Sequence, residues 1–244
     1  MDQQTKAALK QDKFVSTTTH GLEWASEHRR SVIVNGAIAV AVVVAIVVGA
    51  VVYNNRSDAA SAAFGAAMQA YQTPLAPAGE PVPPGVKTYP TSAERAKAAN
   101  ALFLAVADKY GMTPSGKNAL YFAGLTEIEA GQTQQAEDTL KKVGSSWDSN
   151  LASLGKFALA QMYHNTNRDT QAIELYQELA KKPSTAIPAG MAQLQLADLY
   201  TAEGKTAEAR TIWATVKQDD AKGPAGAIAS QKLNPTAGPQ MPPQ

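Results

Sequence analysis

Two hydrophobic patterns follow each other along the chain: one unbroken apolar run near the start, then apolar stripes at helical spacing. The run from Val32 to Tyr53 contains no charged residue, and Asn35 is its one strongly polar side chain. At about 1.5 Å per residue, a helix of this length measures about 33 Å, enough to cross a hydrocarbon core of about 30 Å. The pattern therefore predicts a transmembrane helix over residues 32–53, preceded by a tail of residues 1–31.

The second pattern repeats every 36–37 residues. In each of four segments, a small, a large and an aliphatic residue follow one another at spacings of four and three. These triplets are Ala99, Phe103 and Val106; Ala136, Leu140 and Val143; Ala172, Tyr176 and Leu179; and Ala209, Trp213 and Val216. Positions with this spacing lie on one stripe of a helix. The repeat therefore predicts four similar units, each with a helix that buries the same stripe.

A companion helix precedes the last two stripes, and its residues repeat as well. The corresponding positions are Leu159, Ala160 and Tyr163 in one unit and Leu196, Ala197 and Tyr200 in the next. The turns also correspond, at Gly131, Asn167 and Gly204, which are residue types that tolerate a positive φ. Because an isolated helix pair cannot bury both of its apolar stripes, such pairs stack into a solenoid. We therefore expect an all-α fold, with about four stacked helix pairs over residues 57–233.

Proline-rich segments interrupt and end the helical pattern. Residues 73–90 contain six prolines. Proline fixes φ and lacks the amide donor, so this segment is expected to be an extended surface loop that splits the first helix pair. A helix from Ser57 to Gln72 precedes the loop, and another starts at Ser92 after a cap at Thr91 or Ser92. Residues 234–244 are expected to form a disordered tail.

Charges on the two sides of the apolar run differ. Arg29 and Arg30 directly precede it, whereas on the far side Arg56 is followed closely by Asp58. Lys and Arg concentrate in cytoplasmic flanks, which predicts a cytoplasmic tail and a domain outside, in the periplasm of a bacterium. A cleaved signal peptide is the alternative. It fits less well, because about 31 residues precede the run and the run exceeds the usual 7–15-residue signal core.

A stripe of small residues follows one side of the predicted transmembrane helix. Its members are Ala37, Ala41, Ala45 and Gly49. Small residues at this spacing let a second helix approach closely, so the stripe is a candidate packing seam. Alanine is also common in any membrane helix, and the stripe fits a plain span equally.

Composition excludes several classes of function. The net charge is +1, and the part after the apolar run is close to neutral, which speaks against binding to nucleic acid. The chain has no cysteine, which removes disulfides, cysteine-ligated zinc and thiol catalysis. His164 is the single histidine after the run, and no catalytic motif accompanies it. We expect no cofactor, no metal and no enzymatic activity, and we interpret Trp147 as a gap-filling residue between units.

The repeated alanine, tyrosine, glycine and aromatic positions resemble the tetratricopeptide repeat. One departure is Glu127, which stands where the tyrosine belongs in the unit beginning near Lys117. The whole layout also resembles the ancillary Sec translocon subunit family of single-pass bacterial inner-membrane proteins. This resemblance implies a periplasmic tetratricopeptide-like domain associated with periplasmic chaperones, secretion channel subunits and emerging secreted chains.

In stacked helix pairs, the first helices line the concave face. By the repeat register, we expect the partner-binding residues to be Asn118, Tyr121, Leu125, Phe157, Gln161, His164, Leu194, Asp198 and Thr201. Such a mixed apolar and amide surface suits extended or amphipathic peptide segments. The sequence thus predicts a membrane-anchored module that binds protein clients or chaperones near the Sec translocon. A structural scaffold subunit of a pilus, secretion or division complex is the alternative, and a degenerate hydrolase is a third, weaker interpretation.

Overall fold

The computed structural model describes residues 28–76, 85 and 87–235, and all its regular elements are helices. In chain order they are α1 (Arg29–Tyr71), α2 (Ser92–Tyr110), α3 (Pro114–Glu129), α4 (Thr133–Gly144), α5 (Ser149–Asn165), α6 (Asp169–Lys181), α7 (Ala189–Ala202), α8 (Thr206–Asp219) and α9 (Pro224–Leu233). The predicted all-α class is confirmed. Most of the predicted tail of residues 1–31, part of the proline-rich loop and residues 236–244 lie outside the described residues.

The chain divides into two units, residues 1–55 and 56–244. In the described part of the first unit, α1 exposes its apolar side chains, as Val40 and Ile46 show with 64% and 65% exposure. Among the described residues, α1 alone is long and apolar enough to cross a membrane, and a signal sequence has the same character. Ala37, Ala41, Ala45 and Gly49 are all exposed along it. Their role as a packing seam stays a prediction.

The boundaries of α1 differ from the prediction. The sequence pattern suggests a separate helix beginning at Ser57, but α1 extends from Arg29 to Tyr71. Residues 50–64 contain neither proline nor glycine and are rich in alanine, the best helix former. Because no residue there ends a helix, the predicted start at Ser57 is wrong.

The second unit contains the helical repeats. Successive helices from α2 to α9 pack against one another in order, so that α3/α4, α5/α6 and α7/α8 form antiparallel pairs. The end of α1 packs against α2 to complete the first pair, with the ring centroids of Phe64 and Phe103 5.7 Å apart. The turns within the other three pairs place Gly131, Asn167 and Gly204 at φ values of +75°, +58° and +76°. The predicted positive φ is confirmed at all three positions.

The stripes predicted from the repeat form the core. All twelve triplet residues are at most 6% exposed. Small residues let the helices that carry these stripes approach closely. A Cβ at Gly155 of α5 would lie 2.7 Å from Cγ1 of Val143 and 2.9 Å from the backbone N of Gly144. The repeats are therefore held by three clusters of large side chains, with alanine and glycine where helices come close.

The ends of the proline-rich segment are tied together. The N–H of Ala76 donates to the carbonyl oxygen of Tyr89 at 2.8 Å, which closes the segment at its base. One of the two predicted caps follows, because the hydroxyl oxygen of Thr91 accepts from the N–H of Glu94 at 3.2 Å. A side-chain acceptor at this position satisfies one of the free donors at the start of α2.

Candidate functional site: the inner face of the repeats

The two sides of the helical stack differ in how closely the helices approach. The first helices converge, since α3 packs against α5, and α7 against α9. Surface grooves lie between the second helices, separating α2 from α4, α4 from α6 and α6 from α8. In a curved stack, the converging helices line the concave side. We call the face formed by α3, α5 and α7 the inner face, and that formed by α2, α4, α6 and α8 the outer face.

Three of the expected partner-binding residues are half-buried. Tyr121 and Leu125 of α3 and Phe157 of α5 all pack against the same central hydrophobic cluster. The ring centroids of Phe157 and of the buried Tyr176 lie 5.7 Å apart, in an edge-to-face arrangement. Burial raises the pKa of the Tyr121 hydroxyl above its ordinary value. These side chains combine a fixed orientation with partial exposure, which suits anchors for a partner.

Four further expected residues, Asn118, Gln161, His164 and Thr201, are exposed. Nδ1 of His164 lies 2.8 Å from an oxygen of Asp169, so this ring already has a partner within the fold. The hydroxyl of Thr201 donates to a backbone carbonyl of its own helix at 2.9 Å. The amides of Asn118 and Gln161 are therefore the polar groups of this set best placed to bind a peptide backbone.

The remaining two expected residues are used within the fold. Leu194 is 8% exposed and belongs to the hydrophobic cluster that contains Trp213, so little of it can reach a partner. Asp198 forms an ion pair with Lys232 of α9, with Nζ 2.8 Å from Oδ1. Leu194 and Asp198 are engaged within the fold because α9, a helix that the repeat pattern does not predict, packs beside them. It packs on α7 as the next first helix of the stack and covers this end of the inner face.

The inner face is an open surface. None of the nine expected residues lines the best-formed grooves in the described part of the chain. Tyr121, Leu125 and Phe157 share one cluster, whereas Leu194 belongs to another. This geometry suits an elongated segment lying across several helices.

Two large apolar side chains in turns are exposed, and the sequence pattern predicts neither exposure. Trp147 is fully exposed, and Met112 is 82% exposed. The expectation that Trp147 fills a gap between units is wrong. Trp147 lies in the turn between α4 and α5, and Met112 in the turn between α2 and α3. Turns carry no helical periodicity, so the pattern could not show which way these side chains point.

A buried carboxyl group occupies the tyrosine position of the second pair. Glu127 is 3% exposed, and among the described residues its Oε2 has no hydrogen-bond partner. Burial raises the pKa of Glu127 above its ordinary value, and hydrogen bonds from Thr139 and Asn100 offset part of this shift. The carboxyl group lies between α2, α3 and α4, so it is part of the packing of these helices.

The arrangement defines a class of protein. A stack of helix pairs presents half-buried rings and exposed amides on an open face. Among the residues that the structure describes, no group of three or more His, Cys, Asp or Glu side chains could hold a metal ion. A scaffold that binds other proteins is the typical use of such a solenoid, and such scaffolds are typically not catalytic.

Comparison with known proteins identifies the family. The model of the tetratricopeptide repeat-like domain matches residues 23–237, and the chain belongs to this family. Two solved structures of the nearly identical TPR-like repeats of a putative kinesin light chain from Podosopora anserina are similar to it. Each is 20% identical, with a TM-score of 0.47, and the match covers 57% of this chain and 76% of theirs. No curated protein matches the sequence.

Proposed function

We propose that this protein is a membrane-anchored interaction module that binds clients or chaperones at the periplasmic face of a bacterial inner membrane, near the Sec translocon. Residues 1–31 then form the cytoplasmic tail, residues 32–53 the transmembrane helix and residues 57–233 the periplasmic domain. Membership of the tetratricopeptide repeat-like family supports the general part of this proposal, because such domains bind protein partners.

The observation that carries the binding role is the inner face. It presents half-buried aromatic and aliphatic anchors next to exposed amides. Tyr121 and Phe157 supply rings, and Asn118 and Gln161 supply donors and acceptors for a peptide backbone. Anchors of this type contribute much of the binding energy of interfaces, and backbone hydrogen bonds accommodate extended segments of varied sequence.

The membrane part of the proposal is supported by composition and charge. The apolar stretch of α1 is long enough to span a bilayer. Arg29 and Arg30 precede it, which favours a cytoplasmic N-terminus. Fixing the domain to the membrane raises its effective concentration near a secretion channel, so weak contacts on the inner face suffice for capture. The resemblance of the layout to the ancillary Sec translocon subunits supports the assignment to that channel.

Site-specific photocrosslinking in living cells tests this function. A photoreactive residue replaces Gln161 or Asn118, both exposed on the inner face, so that the fold is not disturbed. We expect crosslinks to secretion channel subunits, periplasmic folding factors or secreted chains. Lys217, exposed on α8 of the outer face, is the matched control position and is expected to give none of these products.

The identity of the crosslinked partners separates the alternatives. Partners dominated by pilus, secretion-machine or division components would instead favour a structural scaffold subunit. Equal crosslinking from Lys217 and Gln161 would show that the inner face is not the binding surface.

A further inference from the structure

A groove on the outer face differs from the others in its lining. It lies between α2 and α4, has a volume of about 340 Å³, and we call it the α2/α4 groove. Its lining residues are Leu104, Ala107, Asp108, Gly111, Gly116, Lys117, Leu120, Lys142, Val143, Ser146 and Leu151. This volume is at the lower end of the range of about 300–1,000 Å³ that is usual for ligand pockets, and it accommodates a few side chains.

The interior of the α2/α4 groove is apolar. Leu104 and Leu120 contribute side chains that are partly open to solvent, and Leu104 is 39% exposed. Val143 and Leu151 close the groove on the core side. Apolar groups of a partner that displace water from such an aliphatic groove make binding more favourable.

Two large apolar residues flank the same place. Trp147 follows Ser146 of the lining and is fully exposed, and Met112 follows Gly111 of the lining and is 82% exposed. Exposed Trp is rare on surfaces that face only water, and it is enriched among the residues that dominate interfaces. Each of the two side chains is thus next in sequence to a lining residue, at the turns between the first three helix pairs.

Charge at the rim points to the chemistry of the occupant. Lys117 and Lys142 line the groove, and among the described residues neither forms an ion pair; Asp108 is the one acidic residue of the lining. The carboxylate of neighbouring Asp148 is already used, because it accepts from the first N–H groups of α5 at 2.9 and 3.1 Å. The two lysines outnumber the one acidic residue of the lining, so the rim presents a positive charge to a ligand, although Lys142 also lowers the pKa of the buried Glu127.

The next groove along the outer face, between α4 and α6, offers a contrast within the same molecule. Its two lysines, Lys141 and Lys156, are both neutralised. Nζ of Lys141 lies 2.7 Å from Glu137, and Nζ of Lys156 lies 2.6 Å from Glu178. No fully exposed tryptophan adjoins that groove in the described part of the chain. Lysines without an ion pair, and an exposed ring next in sequence to the lining, thus belong to the α2/α4 groove.

We propose that the α2/α4 groove is a second docking site, for a short amphipathic segment of a protein partner that carries a few large apolar side chains flanked by acidic residues. The apolar side chains fill the groove between Leu104 and Val143, Trp147 packs against the segment, and its carboxylates pair with Lys117 and Lys142. The groove opens between helices of the outer face, and none of the expected partner-binding residues lines it, so one partner can be held there while another occupies the inner face.

Selection from a random display library of 12-residue peptides tests this site. The target is the full chain in nanodiscs of zwitterionic lipid, with empty nanodiscs for counter-selection. We expect the enriched peptides to combine at least two large apolar residues with an excess of Asp and Glu. Synthetic copies of the enriched peptides are then titrated by fluorescence anisotropy against the unmodified chain and its variants.

The variants separate the groove from the rest of the surface. Trp147→Ala is expected to weaken binding about tenfold, as is usual for a central aromatic contact. Lys117→Glu is expected to weaken it several-fold and to reduce its salt dependence. The matched controls Ile228→Ala and Lys222→Glu change exposed residues of the same kinds outside the groove, and they are expected to leave the affinity within about twofold.

A variant of the inner face keeps this proposal separate from the proposed function. Gln161→Lys is expected to leave peptide binding unchanged and to reduce crosslinking from a photoreactive residue at position 118 of the inner face. Enrichment of no peptides, of basic peptides or of peptides without large apolar residues overturns the docking site. The docking site is also overturned if the double variant Trp147→Ala and Lys117→Glu binds the peptides as tightly as the unmodified chain.

Discussion

At the scale of single residues, Glu127 and Glu137 have carboxyl pKa values shifted in opposite directions. Burial raises the pKa of Glu127, whose Oε2 has no hydrogen-bond partner among the described residues. Hydrogen bonds from Lys141 and Arg168 lower the pKa of Glu137 from 4.5 to about 2. Both side chains are buried, at 3% and 8% exposure. Their partners therefore decide whether the charged or the neutral form fits the fold.

Glu127→Gln tests the raised pKa. Because the folded protein disfavours the ionised carboxyl group, the wild-type loses stability as the pH rises above the ordinary value of 4.5. The amide keeps the shape and cannot ionise. We expect the variant to have a higher free energy of unfolding than the wild-type at pH 8, and the difference to shrink toward zero at pH 4.

Urea unfolding of the full chain in detergent, followed by circular dichroism at the two pH values, measures this difference. Glu174→Gln on the exposed surface of α6 is the control and should show no such pH dependence. A variant less stable than the wild-type at pH 8 would show that Glu127 is charged and stabilised by its neighbours.

At the scale of helices, the repeats are joined by close contacts and by a polar network between pairs. Oε1 of Glu137 on α4 accepts from the hydroxyl of Tyr163 on α5 at 3.0 Å, and its Oε2 accepts from Arg168 at 2.6 Å. The Arg168 guanidinium also lies 4.4 Å from the centre of the Tyr163 ring. One carboxylate thus connects the second helix pair with α5 and with the turn that precedes α6.

Glu137→Gln is expected to destabilise the protein at neutral pH. The stability contributed by this carboxylate is fully present above pH 4.5 and is lost as the pH falls toward about 2, the pKa in the folded state. Hydrogen bonds to a charged and largely buried group suggest a loss of about 2 kcal/mol at pH 7. The difference between variant and wild-type should narrow as the pH falls from 4.5 to 2.

Chemical unfolding at several pH values is the measurement. Glu178→Gln is the control, since Glu178 also pairs with a lysine at 2.6 Å but is 41% exposed. A pair this exposed contributes about 1 kcal/mol or less. Equal effects of the two substitutions would contradict the role assigned to the network.

Gly155→Ala tests the close approach of α4 and α5. The added Cβ would meet Val143 and the backbone of Gly144 at less than 3 Å, so the two helices must separate. We expect a loss of about 1–3 kcal/mol in the free energy of unfolding, as for other overpacked cores. Gly65→Ala is the matched helical control, because open space surrounds its Cβ position, and it should gain about 0.5–1 kcal/mol. The prediction is contradicted if both substitutions stabilise the protein.

At the scale of the whole molecule, the proposed topology places the two ends of the apolar stretch on opposite sides of a membrane. The chain has no cysteine, so single cysteines can report on each side. We expect a membrane-impermeant maleimide to label Thr170→Cys in cells whose outer membrane has been permeabilised. Gln11→Cys should react only after the inner membrane is also disrupted. Labelling of both cysteines before that step would refute the single-pass orientation.

Much of the fold follows from the sequence because local periodicity carries it. The triplets from Ala99 to Val216 show which helix face is buried, and Gly131, Asn167 and Gly204 mark the turns, since those positions need a positive φ. Half-burial of Tyr121 and Phe157 on the first helices also agrees with the register. Their role in binding a partner stays a prediction.

What the sequence by itself determined is the class of fold, the repeat register and an apolar stretch long enough to span a membrane, because each depends on spacing along the chain. The tertiary structure alone decided that α9 covers Leu194 and Asp198, that Glu127 is buried without a full set of partners, and that Trp147 points into solvent beside a positively charged groove. These features depend on which helices meet across the stack and on turn geometry, and neither leaves a periodic signal in the sequence.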